Sequence, residues 1–249
     1  NRHTVRDFAE PFGAGFVYAV EFAELGLGDD REMVWHKDEK NSFGYHGNAI
    51  VSRFPLHEPF AIRLDDGAHW FIGFDASDQR RIGFRNAVAA RLGDETTGIW
   101  VVVAHFENRT TPEGRAEQAK RLVEALDARC GGLPIIIGGD FNTATLPTDA
   151  DGLQAAFADP SPFEPMFAVM KDAGFEWEAA NTPEPSCRTR PDGTPMGPFT
   201  RIDWFFTRGL DAVDPATLAA VDADGNAISD HEALRVTVTV RPASIPPRT

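Results

Sequence analysis

Ile135-Ile136-Ile137-Gly138-Gly139-Asp140-Phe141-Asn142 is the stretch on which the reading of this 249-residue chain turns. The apolar run Pro134 to Ile137 reads as a short strand buried on both faces, which delivers a carboxylate and a carboxamide at its carboxyl end. In a β-like extension Asp140 and Asn142, two residues apart, point to the same side. An Asp-x-Asn turn at a strand end accounts for these residues equally well. The decision therefore rests on what surrounds them.

Immediately upstream lies the clearest helix, Pro112 to Arg129. Thr111 offers an N-cap hydroxyl and Pro112 suits the first helical position. Ala116, Ala119, Leu122, Val123 and Leu126 recur at helical spacing, and Gly131-Gly132 ends the run. Before the helix, Ile99 to Ala104 reads as a strand ending in His105, followed by Glu107, Asn108 and Arg109. A histidine after an apolar strand is structural unless a partner is found, and these three residues supply candidates.

Further out, strand-like runs fall at Phe16 to Phe22, Ala49 to Phe54, Phe60 to Leu64, Ala87 to Leu92, Ile202 to Thr207, Leu218 to Val221 and Leu234 to Val240. Val5 to Phe12 and Pro165 to Ala173 read as helices, Gly26 to Tyr45 as a loop, and the Pro-rich stretch up to Phe199 as irregular. Closely spaced strands without intervening helices imply antiparallel pairing. The expected class is α/β (α+β), with two packed sheets and helices outside, in a single domain.

Composition narrows the function. The formal net charge of -14 disfavours sequence-independent attraction to nucleic acid or anionic membranes, which needs clustered Lys and Arg. It leaves phosphate substrates open, because a divalent cation inverts the local field of an acidic cleft. Ile99 to Ala104, the longest apolar run, is too short to span a bilayer. Cys130 and Cys187 lack the spacing of a metal or redox pair and form one bridge or none. The chain begins at Asn1 rather than Met. An upstream segment is therefore expected, and any leader peptide would lie there.

Two C-terminal pieces carry potential chemistry. Ser229-Asp230-His231 precedes the last strand, and Arg201-Ile202-Asp203 opens an aromatic one. An Asp held against a His fixes the imidazole tautomer and raises its basicity. Asp203 pairing with Arg201, or Asp230 closing a turn, is the plain alternative. Upstream, Gly47-Asn48-Ala49-Ile50-Val51-Ser52-Arg53 joins a Gly-Asn turn to a strand ending in a cation, which contacts a phosphate or sits at a sheet edge. Arg80, Arg81 and Arg85 read as dispersed on an exposed loop and strand.

The order of these pieces resembles the endonuclease/exonuclease/phosphatase superfamily, whose fold is that of pancreatic deoxyribonuclease. The likeness runs from Gly44 to Val240 through Gly47 to Arg53, His105 with Arg115 and Gln118, Gly139 to Asn142, Arg201 to Asp203, and Ser229 to His231. It implies a four-layer α/β/β/α sandwich of two mainly antiparallel sheets with the site at one edge. By that resemblance Asp140 activates the attacking water and Asn142 donates to the phosphoryl oxygens. His231, paired with Asp203, acts on the phosphate or transfers a proton, and His105 contacts phosphate or assists the leaving oxygen. Asn48, Arg53 and Asn108 are the expected substrate-binding residues. Asp230 and Asp140 are expected metal ligands for Mg2+, with Mn2+ or Ca2+ also fitting.

The family's metal-binding Glu has no counterpart here. Glu21 follows the first helix instead of preceding it, so it reads as structural and the ligand is expected upstream of Asn1. The resemblance implies a divalent-metal-dependent phosphodiesterase, nuclease or phosphatase, with nucleic acid, nucleotide, phospholipid or inositol phosphate as substrate. A non-catalytic binding or scaffold domain is the alternative.

Overall fold

β-Branched and aromatic runs fit a pleated, half-buried surface, and they become the strands of this chain. The computed structural model describes residues 3–24, 44–65, 81–189 and 195–241. In chain order come α1 (Thr4–Ala9), β1 (Gly15–Glu24), β2 (Gly44–Ser52), β3 (Leu56–Arg63), β4 (Arg81–Gly83), β5 (Asn86–Leu92) and β6 (Ile99–His105). Then follow α2 (Pro112–Arg129), β7 (Ile135–Asp140), α3 (Ala150–Ala156), α4 (Met166–Asp172), β8 (Cys187–Thr189), β9 (Pro195–Thr200), β10 (Asp203–Arg208), β11 (Leu210–Leu218) and β12 (Ala233–Val240).

The central sheet has the order β10-β7-β6-β5-β3, and a second sheet has β2-β1-β4. Within them only β6 and β7 run parallel, as a strand pair joined by a helical crossover must. Residues Asn86 to Arg91 of β5 are all buried because both faces of that strand are covered. On one face Ile50, Val88 and Ala90 pack with Val17, Ala19 and Val103 between the two sheets. On the other, Trp100, Val102, Ile135, Ile137 and Trp204 meet Leu122 and Leu126 of α2 and Phe167 of α4. With α1 against β1 and β2, this is the four-layer sandwich, mainly antiparallel, with outer helices.

Helix α2 has its expected bounds, and the Thr111 hydroxyl accepts from Gly114 N at 3.2 Å. β6 likewise begins at Ile99 and ends on His105. Other boundaries differ. β7 runs on to Asp140, and its burial alternates because Ile136 and Gly138 are only partly covered. The strand expected at Leu218 to Val221 is instead β11, which ends at Leu218 and pairs with β12. β8 and β9 pair within the stretch read as irregular, whose residues 190–194 lie outside those described. α3 was not foreseen; it is capped by Asp149, whose carboxylate accepts from Gly152 N. Of the loop read from Gly26 to Tyr45, Gly44 and Tyr45 belong to β2, and residues 26–43 lie outside those described.

Candidate active site

Strand register builds the site. His105 is the partner of Asp140 across the parallel β6–β7 pair, and Asp203 is the partner of Asp140 across the antiparallel β7–β10 pair. Register partners on adjacent strands stand roughly 5 Å apart and share a face, so three chemistry-bearing side chains form a row at one sheet end. The Gly-Gly pair permits this. Gly139 has φ +151°, and a Cβ there would meet the Ala104 carbonyl oxygen at 1.9 Å. A Cβ on Gly138 would meet the Phe205 ring at 2.8 Å.

Asp140 and Asn142 come together, though not through extension. β7 ends at Asp140, and Asn142 takes the left-handed φ of 51°, a conformation that Asn tolerates. Its backbone N donates to Asp140 Oδ1 at 2.8 Å, while its Nδ2 donates to Phe106 O at 2.9 Å and Asp140 Oδ2 at 3.2 Å. Asn142 thus clamps Asp140. Burial, with the Asp203 carboxylate adding to it, raises the Asp140 carboxyl above its ordinary range against the lowering pull of His105 and His231.

At one end of the row, His231 Nδ1 lies 2.9 Å from Asp203 Oδ2. Burial opposes the charged ring, but Asp203, with Asp140 and Asp230 beside it, raises His231 to about 9. Asp203 is thereby the partner of His231 and forms no ion pair with Arg201. Ser186 Oγ accepts from Ile202 N at 3.0 Å and Asp203 N at 2.9 Å, fixing the start of β10. The Cys187 thiol, half-buried and pushed up to about 12 by burial and then by Asp230, Asp203, Asp140 and Glu232, marks where these carboxylates converge. Cys130 and Cys187 form no disulfide.

At the other end stands Glu21, set aside in the sequence as structural. It is the extra residue of a bulge in β1, where the register jumps between Val20 and Phe22. Bulges re-aim side chains. Glu21 Oε2 lies 2.9 Å from His105 Nδ1, and His105 Nε2 lies 3.6 Å from Asp140 Oδ2. An odd carboxylate in an otherwise apolar strand run was the only sequence signal for this placement.

Arg85 corrects the expectation of an exposed arginine. Only 2% exposed, it donates to Glu107 Oε2 at 3.1 Å and Glu21 Oε2 at 3.2 Å. Its Nη1 is 2.9 and 3.0 Å from the two ring nitrogens of His105, so it lies over the ring and not in its plane. Gln118 of α2 joins this network, accepting from Glu107 N and donating to Asp65 Oδ2. Of the cluster's other arginines, Arg80 lies outside the described residues.

The expected substrate-binding residues have different surroundings. Asn48 is buried with its Nδ2 donating to Asn86 O and Oδ1, both at 2.9 Å. Asn108 is exposed on the loop after β6. Arg53 is exposed beyond the end of β2, near Gly15, roughly 20 Å along β1 from Glu21 at the usual strand rise. A turn motif in sequence does not say which end of its strand reaches the site.

Among the described residues no three His, Cys, Asp or Glu side chains form a group able to hold a metal ion. Glu21 and Glu107 already neutralise Arg85. The oxygen donors Asp140 and Asp230 suit a hard cation in kind, but the described set is incomplete for one. What the side chains themselves offer is a carboxylate of raised basicity between two histidines, each oriented by its own carboxylate.

The sequence profile of the Endonuclease/Exonuclease/phosphatase family matches residues 5–231. No curated protein sequence matches the chain. Among solved structures, the catalytic domain of human Nocturnin with bound sulfate anion is 17% identical, with 96% of this chain and 76% of that chain covered at a TM-score of 0.57. A mannosyl-6-phosphatase of Bacteroides thetaiotaomicron VPI-5482 is 15% identical over 90% of this chain and 77% of that one, with a TM-score of 0.50. TDP2 of D. rerio, in complex with a single-strand DNA product, is 13% identical over 95% and 90%, with a TM-score of 0.52. At these identities the likeness is one of fold.

Proposed function

The chain belongs to the Endonuclease/Exonuclease/phosphatase family, and from that premise we propose that it is a divalent-metal-dependent hydrolase of phosphoester bonds whose working groups are His105, Asp140, Asn142, Asp203 and His231. Members of this family are metal-dependent phosphoester hydrolases, among them nucleases and phosphatases. The observation that carries the reading is the row His105, Asp140, Asp203 in register across three strands, closed by His231.

Phosphoester hydrolysis needs an in-line water, charge stabilisation on the nonbridging oxygens and a proton for the leaving oxygen. Asp140 takes the proton of the attacking water as its oxygen bonds to phosphorus. Its raised proton affinity suits a general base better than an ordinary surface carboxylate would. His231, held protonated at neutral pH by Asp203, places positive charge and a hydrogen bond on the phosphoryl oxygens as the P–O bond breaks. His105 is fixed by Glu21 at Nδ1, which leaves Nε2 to serve the leaving oxygen. Asn142 keeps Asp140 aimed.

When bound at this edge, a divalent ion would supply charge neutralisation on the phosphoryl group. Mg2+ is the proposed ion, with Mn2+ or Ca2+ as substitutes, and Asp140 and Asp230 as donors completed by ligands outside the described set. Nucleic acid, nucleotide, phospholipid and inositol phosphate are the candidate substrates. The sulfate in Nocturnin, the phosphatase named for a sugar phosphate and the DNA product in TDP2 support a substrate that carries phosphate.

The test is release of nitrophenol from bis(p-nitrophenyl) phosphate and from p-nitrophenyl phosphate with Mg2+ and with EDTA. Turnover of at least one that vanishes with EDTA supports the reading. Binding of substrate with no turnover of either would favour a non-catalytic domain of the same fold.

A further inference from the structure

Asp203 and His231 form one hydrogen-bonded pair from two separate parts of the fold. Asp203 opens β10 at the edge of the central sheet, and His231 lies in the loop before β12, which pairs with β11 in another sheet. The side-chain contact itself is small, with His231 Nδ1 at 3.1 and 2.9 Å from the two Asp203 carboxylate oxygens. Such a contact keeps its geometry only when the groups around it lock the backbones that carry it.

Ser186, just before β8 and 0% exposed, reaches both backbones. On one side its Oγ accepts from Ile202 N at 3.0 Å and Asp203 N at 2.9 Å, and its own N donates to Thr200 O at 3.1 Å. On the other its carbonyl oxygen accepts from Glu232 N at 2.7 Å, and the next residue, Cys187, forms an antiparallel bridge with His231. β10 is an edge strand, and its alternate N–H groups at Asp203, Phe205 and Thr207 end on Ser186 Oγ, Asn181 Oδ1 and Glu176 O. Of these three acceptors, Ser186 is the one that also holds the His231 segment. Removing its hydroxyl strands two buried N–H groups beneath the carboxylate.

We propose that Ser186 is a positioning residue that ties the Asp203 and His231 segments together and so sets the alignment of their side-chain pair. Fully buried, it acts through the backbones of Asp203 and Glu232. Its effect on turnover rests on the hydrolase reading above, whereas its coupling to the pair does not. The two are separable by experiment.

A double-mutant cycle on unfolding in urea, with EDTA present, reads the coupling without any substrate. Ser186→Ala and His231→Asn are made alone and together. If Ser186 aligns the pair, its loss also weakens the His231–Asp203 contact, and the loss shrinks where that contact is already gone. The double variant is then expected to be more stable than the two losses added, by about threefold or more in the unfolding equilibrium constant, and a smaller departure would overturn the proposal. Hydrogen exchange on wild type needs no substitution. The amides of Ile202, Asp203 and Glu232 are expected to exchange at least about 100-fold slower than in unstructured chain, and exchange at the unstructured rate would overturn the tie.

Turnover then separates positioning from a merely structural role. On a nitrophenyl ester that wild type cleaves, Ser186→Ala is expected to lose about tenfold or more in kcat with KM within about twofold. Ser186→Thr keeps the hydroxyl and is expected within about threefold of wild type. Wild-type kcat in folded Ser186→Ala, or a Ser186→Thr as slow as Ser186→Ala, would overturn the role. Should Ser186→Ala fail to fold, Ser186→Cys takes its place in cycle and assay, because a thiol fills the site but accepts weakly. If wild type cleaves neither ester while the cycle shows coupling, it is the hydrolase reading that falls.

Discussion

Asp140 concentrates the account at the scale of a single residue. Clamped by Asn142 and set between His105 and Asp203, with burial raising its carboxyl above the ordinary range, it is the proposed general base. Asp140→Asn preserves shape and still accepts from Asn142 N through its one carboxamide oxygen, so unfolding in urea is expected to change little while turnover falls on the order of 100-fold or more. Unchanged turnover would remove Asp140 from the mechanism. His231 makes a second prediction. Its folded-state value of about 9 lies above the ordinary 6.5, so the stabilisation it provides is full below about 6.5 and is lost as pH rises through 9. With chelator present, urea stability is expected to drop by about 2 kcal/mol across that window, and the drop to disappear in His231→Asn. A variant with the same slope would place the titration elsewhere.

At the scale of elements, the decisive device is the close approach of β6 and β7. Gly139→Ala forces a Cβ onto the Ala104 carbonyl from a backbone conformation that suits glycine, and about 2–4 kcal/mol of stability is expected to go. A loss under about 0.5 kcal/mol in urea titration would mean that the strand pair can part. Elements governed by local chemistry were legible in the sequence. α2 carries its cap, its Pro and its apolar stripe, and β6 is a continuous apolar run, so both have their expected bounds. β8, β9 and α3 carry few apolar residues in pattern, and long-range pairing or a lone Asp cap makes them. Arg85 departs from its reading as an exposed residue because only the tertiary meeting of β1, β5 and the loop after β6 buries it against Glu21 and Glu107, and Glu21, read as structural, is buried there as its partner. His105, Asp140, Asn142, Asp203 and His231 are expected from residue type, order and the family resemblance; strand register aligns His105, Asp140 and Asp203, and Asn142 and His231 join them by hydrogen bonds to Asp140 and Asp203. Arg53 failed because a motif reveals its strand and not the strand's direction in the sheet.

At the scale of the whole molecule, the site edge is supported by a charge network that crosses layers. Arg85 links Glu21 in the second sheet to Glu107 after the central sheet, and Gln118 ties Glu107 to α2 and Asp65. Arg85→Met leaves two buried carboxylates uncompensated, so about 3–5 kcal/mol of stability is expected to be lost, with His105 released from its fixed orientation. Near-wild-type stability would show that water reaches the pair. The overall charge of -14 adds a constraint, since a polyanion must approach through an unfavourable field. The most direct measurement remains hydrolysis of bis(p-nitrophenyl) phosphate and p-nitrophenyl phosphate by wild type and Asp140→Asn, each with Mg2+ and with EDTA. Release of nitrophenol by wild type with Mg2+, lost both with EDTA and in the variant, is the predicted result. Equal rates with and without metal, or equal rates in the two proteins, would contradict it.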